Sequence, residues 1–378
     1  MFIRKLESLR LDLFTFMRPD PDLRVDIVYL WVDGSDPAWR RKRERAAARL
    51  SRSHRNAMAL YGNVEGRFRD NDELRYSLRA LARFFPDHGH IYVVTDNQAP
   101  VWLKTSSQLT LVDHRDLIPA DKLPTFDSGN IESYIHRIPN LSERYFYFND
   151  DVFFGAPVQL DDWFYDGGTY VAWSDDPVVT DEPLRMDATA LENACRLSHQ
   201  WLGARTTSPA SAGSAGVLAS YQPVFRTFAH SPRPMLKSRL VLLEALAPEL
   251  FEAVRSTVFR AWDKPTIVSD FVMRWALAHG HSRVCEHSHV YLSTGDGNEG
   301  DLDNLDEQLD ALVASVGQLD FFCLNDTTDD ALAHDPRLSR VRDALQAIFP
   351  HPSVFEQPMP PVRRLRTSAP NTQVMSVV

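Results

Sequence analysis

Three cysteines among 378 residues, Cys195, Cys285 and Cys323, are too few and too scattered for a disulfide framework, and no C-x-x-C pair offers a zinc ribbon. No uncharged apolar run reaches the roughly 20 residues that cross a bilayer. Basic residues are in deficit, 41 Lys and Arg against 51 Asp and Glu for a net charge of -10. That sign argues against a nucleic-acid coat protein, because phosphate neutralisation needs the opposite excess. Also missing are G-x-x-x-x-G-K-S/T, G-x-G-x-x-G, G-x-S-x-G and H-E-x-x-H strings, which disfavours P-loop phosphoryl transfer, serine hydrolysis and zincin chemistry. What remains is an ordinary globular composition, 44% hydrophobic and 24% charged, with length for two to three domains at roughly 150 residues each.

Phe2, Leu6, Leu9, Leu13 and Phe16 recur at helical spacing with Arg4, Lys5 and Arg10 between them. Such an amphipathic segment either docks on the protein's own body or makes a peripheral foot on a membrane surface. Glu7 and Asp12 spoil it as a signal peptide, so a cytoplasmic protein is expected, with the inner face of the plasma membrane as its possible contact. Beyond it, apolar runs at 25–32, 90–95, 109–112 and 145–148 read as strands, and 39–50, 72–85 and 131–138 as helices. Strands alternating with helices predict an α/β fold with a mainly parallel sheet. Helices are expected again at 237–251 and 266–279, and a strand at 283–292. The expected organisation is the 1–20 segment, a core over 21–155, a variable insertion or lid over 156–220, a second portion over 221–357 and a disordered tail over 358–378.

Three of the strands end in acidic or amide clusters: Asp33 and Asp36, Asp96 and Asn97, Asp150 and Asp151. Ligands of open α/β sheets bind beyond the carboxyl ends of the strands, so these clusters are expected to converge on one crevice, although turns use the same residues. Asp150 and Asp151 have the form of a Mg²⁺ or Mn²⁺ site serving a nucleotide diphosphate. The string from Arg67 to Tyr76 packs acids and arginines around a helix start; Asp72 can cap the helix and the arginines can fork onto phosphate or form a surface salt-bridge lattice. Glu132 and His136, one helical turn apart, are a candidate ligand or base pair. His230 lies where Pro232 and Pro234 stiffen the backbone, and it suits proton transfer or a structural role.

The strings DIVYLWVDGSDPAW (26–39), RFRDNDELRYSLRAL (67–81), HIYVVTDNQAPVWL (90–103) and LPTFDSGNIESYIHRIPNLSERYFYFNDDVFFG (123–155) resemble the Stealth family of sugar-phosphate transferases. FAHSPRPMLKS (228–238) and FFCLNDTTDD (321–330) resemble its third and fourth conserved regions, and Asp33 stands where the family usually has Asn. The resemblance implies a glycosyltransferase-A-like core and transfer of hexose-1-phosphate from a UDP-sugar donor to a hydroxyl of a polysaccharide or oligosaccharide acceptor, with Mg²⁺ or Mn²⁺. It implies Glu132, Asp151, His230 and Arg260 as catalytic residues, with His230 and Glu132 both open as the base. Asp33, Asp36, Arg67, Asn71 and Asp72 fall where the nucleotide-sugar pocket is expected, and Arg75, Asn97, Arg137, Arg233 and Lys237 complete the expected substrate-binding set. An ordinary glycosyltransferase, a nucleotidyltransferase and a non-catalytic sugar-binding protein are the alternatives.

Overall fold

A strand buried on both faces must be apolar at every position, and the run at 25–32 meets that condition. The computed structural model describes residues 24–358 except 105, 207–221, 296–301 and 333–334. The 1–20 segment, most of the polar stretch inside the expected lid and nearly all of the expected tail lie outside the described residues. β1 (Asp26–Leu30) is buried throughout. It is flanked by β2 (Ile91–Thr95) and β4 (Arg144–Asn149), both parallel to it. β3 (Leu109–Asp113) extends the sheet beyond β2 in parallel, and β8 (Arg233–Leu236) closes the other edge antiparallel to β4. The order β3-β2-β1-β4-β8 puts the reversal of strand order between β1 and β4, where a crevice opens in such sheets. The mainly parallel α/β sheet agrees with the expectation.

Helix Glu73–Phe84 covers one face of this sheet with Leu74, Leu78 and Leu81, all at 0% exposure. Ser77 of that helix bonds the Tyr29 hydroxyl of β1 at 3.0 Å and the Val152 carbonyl at 2.7 Å. β4 runs through a two-residue turn into β5 (Val152–Phe154), which leaves the main sheet and pairs antiparallel with β11 (Phe321–Asn325). β10 (His289–Ser293) completes this second sheet. β6 (Phe164–Tyr165), β7 (Gly168–Val171) and β9 (Ser282–Val284) form a third. Strands from both ends of the chain therefore share sheets. Among the described residues no helix is long and apolar enough to cross a membrane.

Several expected elements differ. The 131–138 helix is two short pieces, Ser128–Glu132 and the 3₁₀ turn Ile135–Arg137. The 237–251 helix breaks at Pro248, whose missing N–H starts a new one. The 266–279 helix opens with a π turn, Ile267–Phe271. The 283–292 strand is split between β9 and β10, in different sheets. Helices Leu302–Ser315 and Pro336–Ile348 escaped the periodicity, as did Ala190–Thr206 within the expected lid.

Arg75, expected at the substrate, instead ties the C-terminal segment down. Its Nε donates to Glu356 Oε2 at 2.5 Å, while Arg79 grips the same carboxylate with Nε at 2.7 Å and Nη2 at 2.8 Å. Burial alone would raise the Glu356 acid, but the Arg79, Ser353 and Arg75 hydrogen bonds pull it down to about 2. A carboxylate 2% exposed and held by two guanidiniums leaves them uncompensated when it is removed. Glu356→Ala should therefore cost about 3–5 kcal/mol in denaturant titration. The contribution is present above pH 4.5 and is lost as the pH falls toward about 2, so acid unfolding should distinguish the variant from the parent only above that window.

Candidate active site

The crevice at the carboxyl ends of β1 and β4 is a cavity of about 820 Å³. Of the three clusters expected there, only Asp150 and Asp151 line it. Asp36 caps the helix Pro37–Arg49 through Ala38 N and Trp39 N, both at 2.7 Å. Asp33 accepts from Ser35 N at 2.8 Å, Asp96 pairs with Lys42, and Asn97 accepts from Arg115 at 3.0 Å. These residues are spent on turns, caps and side-chain pairing, the ordinary use of such residue types. Asp72 starts helix Glu73–Phe84 at φ 68° without a side-chain cap. Arg137 pairs with Glu244 at 2.7 Å and Lys237 donates to the Leu141 carbonyl at 3.3 Å; neither lines the cavity. His136 also turns to Glu244, at 2.6 Å, because the break after Glu132 removes the shared helical face.

One wall of the cavity is acidic. Glu73, Asp150 and Asp151 line it, with Asp70 close enough to raise its neighbours. Burial first, then the charges of Asp151 and Asp70, lift Asp150 well above the carboxylate range. Glu73 is raised by burial, Asp150 and Asp70, and Asp70 is pushed to about 7 by burial and Asp72. Asn71 is buried behind this wall; its Nδ2 donates to Glu73 Oε1 at 2.8 Å and to Asp326 Oδ2 at 3.3 Å. Oxygen donors that repel one another at neutral pH fit a hard divalent cation.

The opposite character comes from Arg67, Arg233 and Arg260, which also line the cavity. Arg67 Nη2 and Arg260 Nη2 both donate to Ser128 Oγ, at 3.0 and 2.7 Å. Burial and then the Arg260 charge pull Arg67 down to about 9. Arg233 is 1% exposed, and its Nε and Nη1 have no hydrogen-bond partner among the described residues. A buried guanidinium with unused donors beside a cavity is suited to an anionic oxygen.

Asp151 and His230 meet where the two walls join. His230 Nε2 is 3.3 Å from Asp151 Oδ1, and the Cys323 thiol donates to Asp151 Oδ2 at 3.5 Å. Burial pushes the Asp151 acid up, yet His230 and the Cys323 thiol outweigh it and leave it below the usual value. His230 is also reached by a hydrogen-bond chain. Glu132, 2% exposed, accepts from the Tyr147 hydroxyl at 2.9 Å; that hydroxyl is 2.7 Å from Asn149 Oδ1, and Asn149 Nδ2 is 2.9 Å from His230 Nε2. Four expected catalytic residues thus border one cavity. Sequence reasoning missed Glu73, Asp70, Tyr147, Asn149 and Cys323. Asn149 stood beside the paired aspartates and Glu73 inside the acidic string, while nothing in spacing announced Cys323.

The acidic wall has a thermodynamic signature. A carboxylate whose folded pKa is raised stabilises the fold fully below its unfolded value, and that contribution disappears as the pH rises through the folded value. In chelator, wild type and Asp70→Asn should be matched near pH 3.8 and diverge toward pH 7, wild type becoming the less stable by up to about 1.4 kcal/mol per pH unit. Added Mg²⁺ should close the gap. Parallel melting curves across this range would contradict the mutual repulsion.

Residues 23–51, 67–171 and 317–367 match Stealth protein conserved regions 1, 2 and 4. An exopolysaccharide phosphotransferase of Streptomyces coelicolor is 34% identical over 340 residues, covering 88% of this chain and 33% of that protein. The exopolysaccharide phosphotransferase CpsY of Mycobacterium leprae is 31% identical over 349 residues, 91% of this chain and 59% of that one. The capsular polysaccharide phosphotransferase cps12A of Actinobacillus pleuropneumoniae is 44% identical over 146 residues, 38% of each. The chain thus spans less than two thirds of the length of these relatives. Among solved structures, the galactosyltransferase LgtC with donor and acceptor sugar analogs aligns at 8% identity and TM-score 0.39, over 85% of this chain and 96% of that one, too loose a likeness to argue from. Arg67, Glu73, Glu132, Asp150 and Asp151 fall in the matched region 2 and Cys323 in region 4. With three conserved regions matched in order, two of them carrying residues that line or back the cavity, the chain belongs to the Stealth family.

Proposed function

We propose that this chain transfers hexose-1-phosphate, in the first instance N-acetylhexosamine-1-phosphate, from a UDP-sugar to a hydroxyl of a glycan acceptor in capsule or exopolysaccharide synthesis. The observation that carries the reading is the 3.3 Å approach of His230 to Asp151 between an acidic wall and an arginine wall. A diphosphate with a bound cation is complementary to both walls at once. The acceptor oxygen attacks the β-phosphorus and its proton goes to His230. The bond from that phosphorus to the bridging oxygen breaks, and UMP leaves. Arg67, Arg233 and Arg260 balance the charge on the phosphoryl oxygens.

Asp150 and Asp151 would hold Mg²⁺ or Mn²⁺, with Glu73 beside them; such an ion, when bound, neutralises charge on the two phosphates. Among the candidate bases, His230 fits the role better than Glu132. Glu132 is occupied by Tyr147 at 2.9 Å and Ser269 at 3.2 Å, so it acts through Tyr147 and Asn149 to orient the imidazole. Sugar nucleotides are made in the cytoplasm, and the reading puts the enzyme there, with the amphipathic 1–20 segment as a peripheral membrane contact.

Incubation with a panel of nucleotide sugars and Mg²⁺ should give UMP and a new phosphodiester signal in phosphorus NMR; UDP as the sole nucleotide would make this an ordinary glycosyltransferase. Inorganic pyrophosphate would identify a nucleotidyltransferase, and tight UDP-sugar binding without product a binding protein. His230→Ala and Asp151→Asn should lower kcat about 10²- to 10⁴-fold with circular dichroism unchanged. Tyr147→Phe should lower kcat by a smaller factor, about 10- to 100-fold, at unchanged KM. A Glu132→Gln loss exceeding that of His230→Ala would reverse the assignment of the base.

A further inference from the structure

Asp151, His230 and Cys323 come from three different elements and bring one oxygen, one nitrogen and one sulfur donor together. The three donor atoms lie within 4.8 Å of one another. Oδ1 to Nε2 is 3.3 Å and Oδ2 to Sγ is 3.5 Å. A tetrahedral Zn²⁺ with bonds of about 2.0–2.3 Å to such donors sets neighbouring ligand atoms roughly 3.3–3.6 Å apart. Both contacts fall in that range but reach different oxygens of Asp151, so a site with one carboxylate oxygen needs only a turn of that carboxylate toward one of its two neighbours. Backbone pairing holds them: Cys323 is in register with Val152, the residue after Asp151, and Leu324 N donates to the Asp151 carbonyl at 3.0 Å. Asp151 and His230 border the cavity, which leaves a fourth position open to water.

We propose that Asp151, His230 and Cys323 form a binding site for a borderline-soft divalent cation of the zinc class, and that its occupation shuts off the enzyme. This site shares Asp151 with the oxygen-only wall of Glu73, Asp150 and Asp70 but differs from it in donor set, because thiolate and imidazole ligands select zinc over magnesium. Binding converts the Cys323 thiol to thiolate and releases its proton to solvent. It also takes His230 Nε2, the atom that Asn149 Nδ2 meets at 2.9 Å, so the chain to Glu132 is broken and the base is lost. The site itself stands on the ligand geometry; its inhibitory consequence rests on the function proposed above.

Co²⁺ added to the full chain reports the site without turnover. The expected spectrum contains a near-ultraviolet thiolate-to-cobalt charge-transfer band with visible tetrahedral bands, absent in Cys323→Ser and retained in Cys285→Ser. X-ray absorption of the Zn²⁺-loaded wild type, which needs no variant to fold, should give one sulfur at about 2.3 Å with nitrogen and oxygen near 2.0–2.2 Å. A shell of nitrogen and oxygen alone, or a band that survives in Cys323→Ser, would overturn the site. Under saturating Mg²⁺, Zn²⁺ should inhibit UMP release from wild type at a concentration at least about 10-fold lower than in Cys323→Ser. Undiminished turnover with zinc on sulfur would remove the inhibitory role, whereas a chain inactive on every donor yet showing the sulfur shell would count against the proposed function alone.

Discussion

The chain from Asn149 to Val152 ends an interior strand of one sheet and begins the edge strand of another within four residues. β4 is fixed on one side by β1 and on the other by β8, with Tyr145 to Phe148 at 0% exposure. β5 is fixed by its antiparallel ladder with β11. A one-residue slip in either ladder would invert every side chain of that strand relative to its core. Asp150 and Asp151 are therefore positioned by the two sheets that meet at them. Their environments differ accordingly: Asp150 shares the acidic wall with Glu73 and Asp70, and Asp151 meets His230 and Cys323.

Both walls are electrostatically unfavourable by themselves. Burial and like charge raise three carboxylates, two arginines share one serine oxygen, and Arg233 keeps two donors unpartnered in the interior. Burying charge without partners is tolerated only where surrounding packing stabilises the arrangement. Tyr29 against Phe148 at 5.0 Å and Phe146 against Phe154 at 5.3 Å belong to that packing. For the diphosphate and cation proposed above, opposed walls of fixed charge need no reorganisation. The strain is thus the preorganisation.

What was legible in the sequence follows from this division. β1, β2 and β4 are continuous apolar runs because both their faces are covered, and helix Glu73–Phe84 shows its stripe because Leu74, Leu78 and Leu81 meet the sheet while Arg75 and Arg79 turn to the C-terminal segment. The short pieces around Glu132, the break at Pro248 and the π turn before Val272 are set by tertiary contacts that periodicity does not record. Asp33, Asp36 and Asn97 look like ligands because caps and turns demand the same short polar side chains. The resemblance to a family brought Glu132, His230 and Arg260 to the cavity's edge where spacing alone left them unconnected. Cys323 stayed hidden because a cysteine in an apolar strand reads as core; its proximity to Asp151 arises from pairing across 172 residues.

The hydrogen-bond chain also explains why two bases looked equally good. Tyr147 carries a single hydroxyl proton but stands within bonding distance of both Glu132 and Asn149. When that proton goes to the Glu132 carboxylate, Tyr147 can only accept from Asn149, which then turns its carbonyl toward His230 and favours a proton on Nε2. When it goes to Asn149, the amide N–H points at His230 and Nε2 must be the lone pair. The first arrangement suits the imidazolium left after proton abstraction and the second suits the imidazole poised to abstract. Under the proposed function Glu132 and His230 are the two ends of one hydrogen-bond chain, joined through Tyr147 and Asn149.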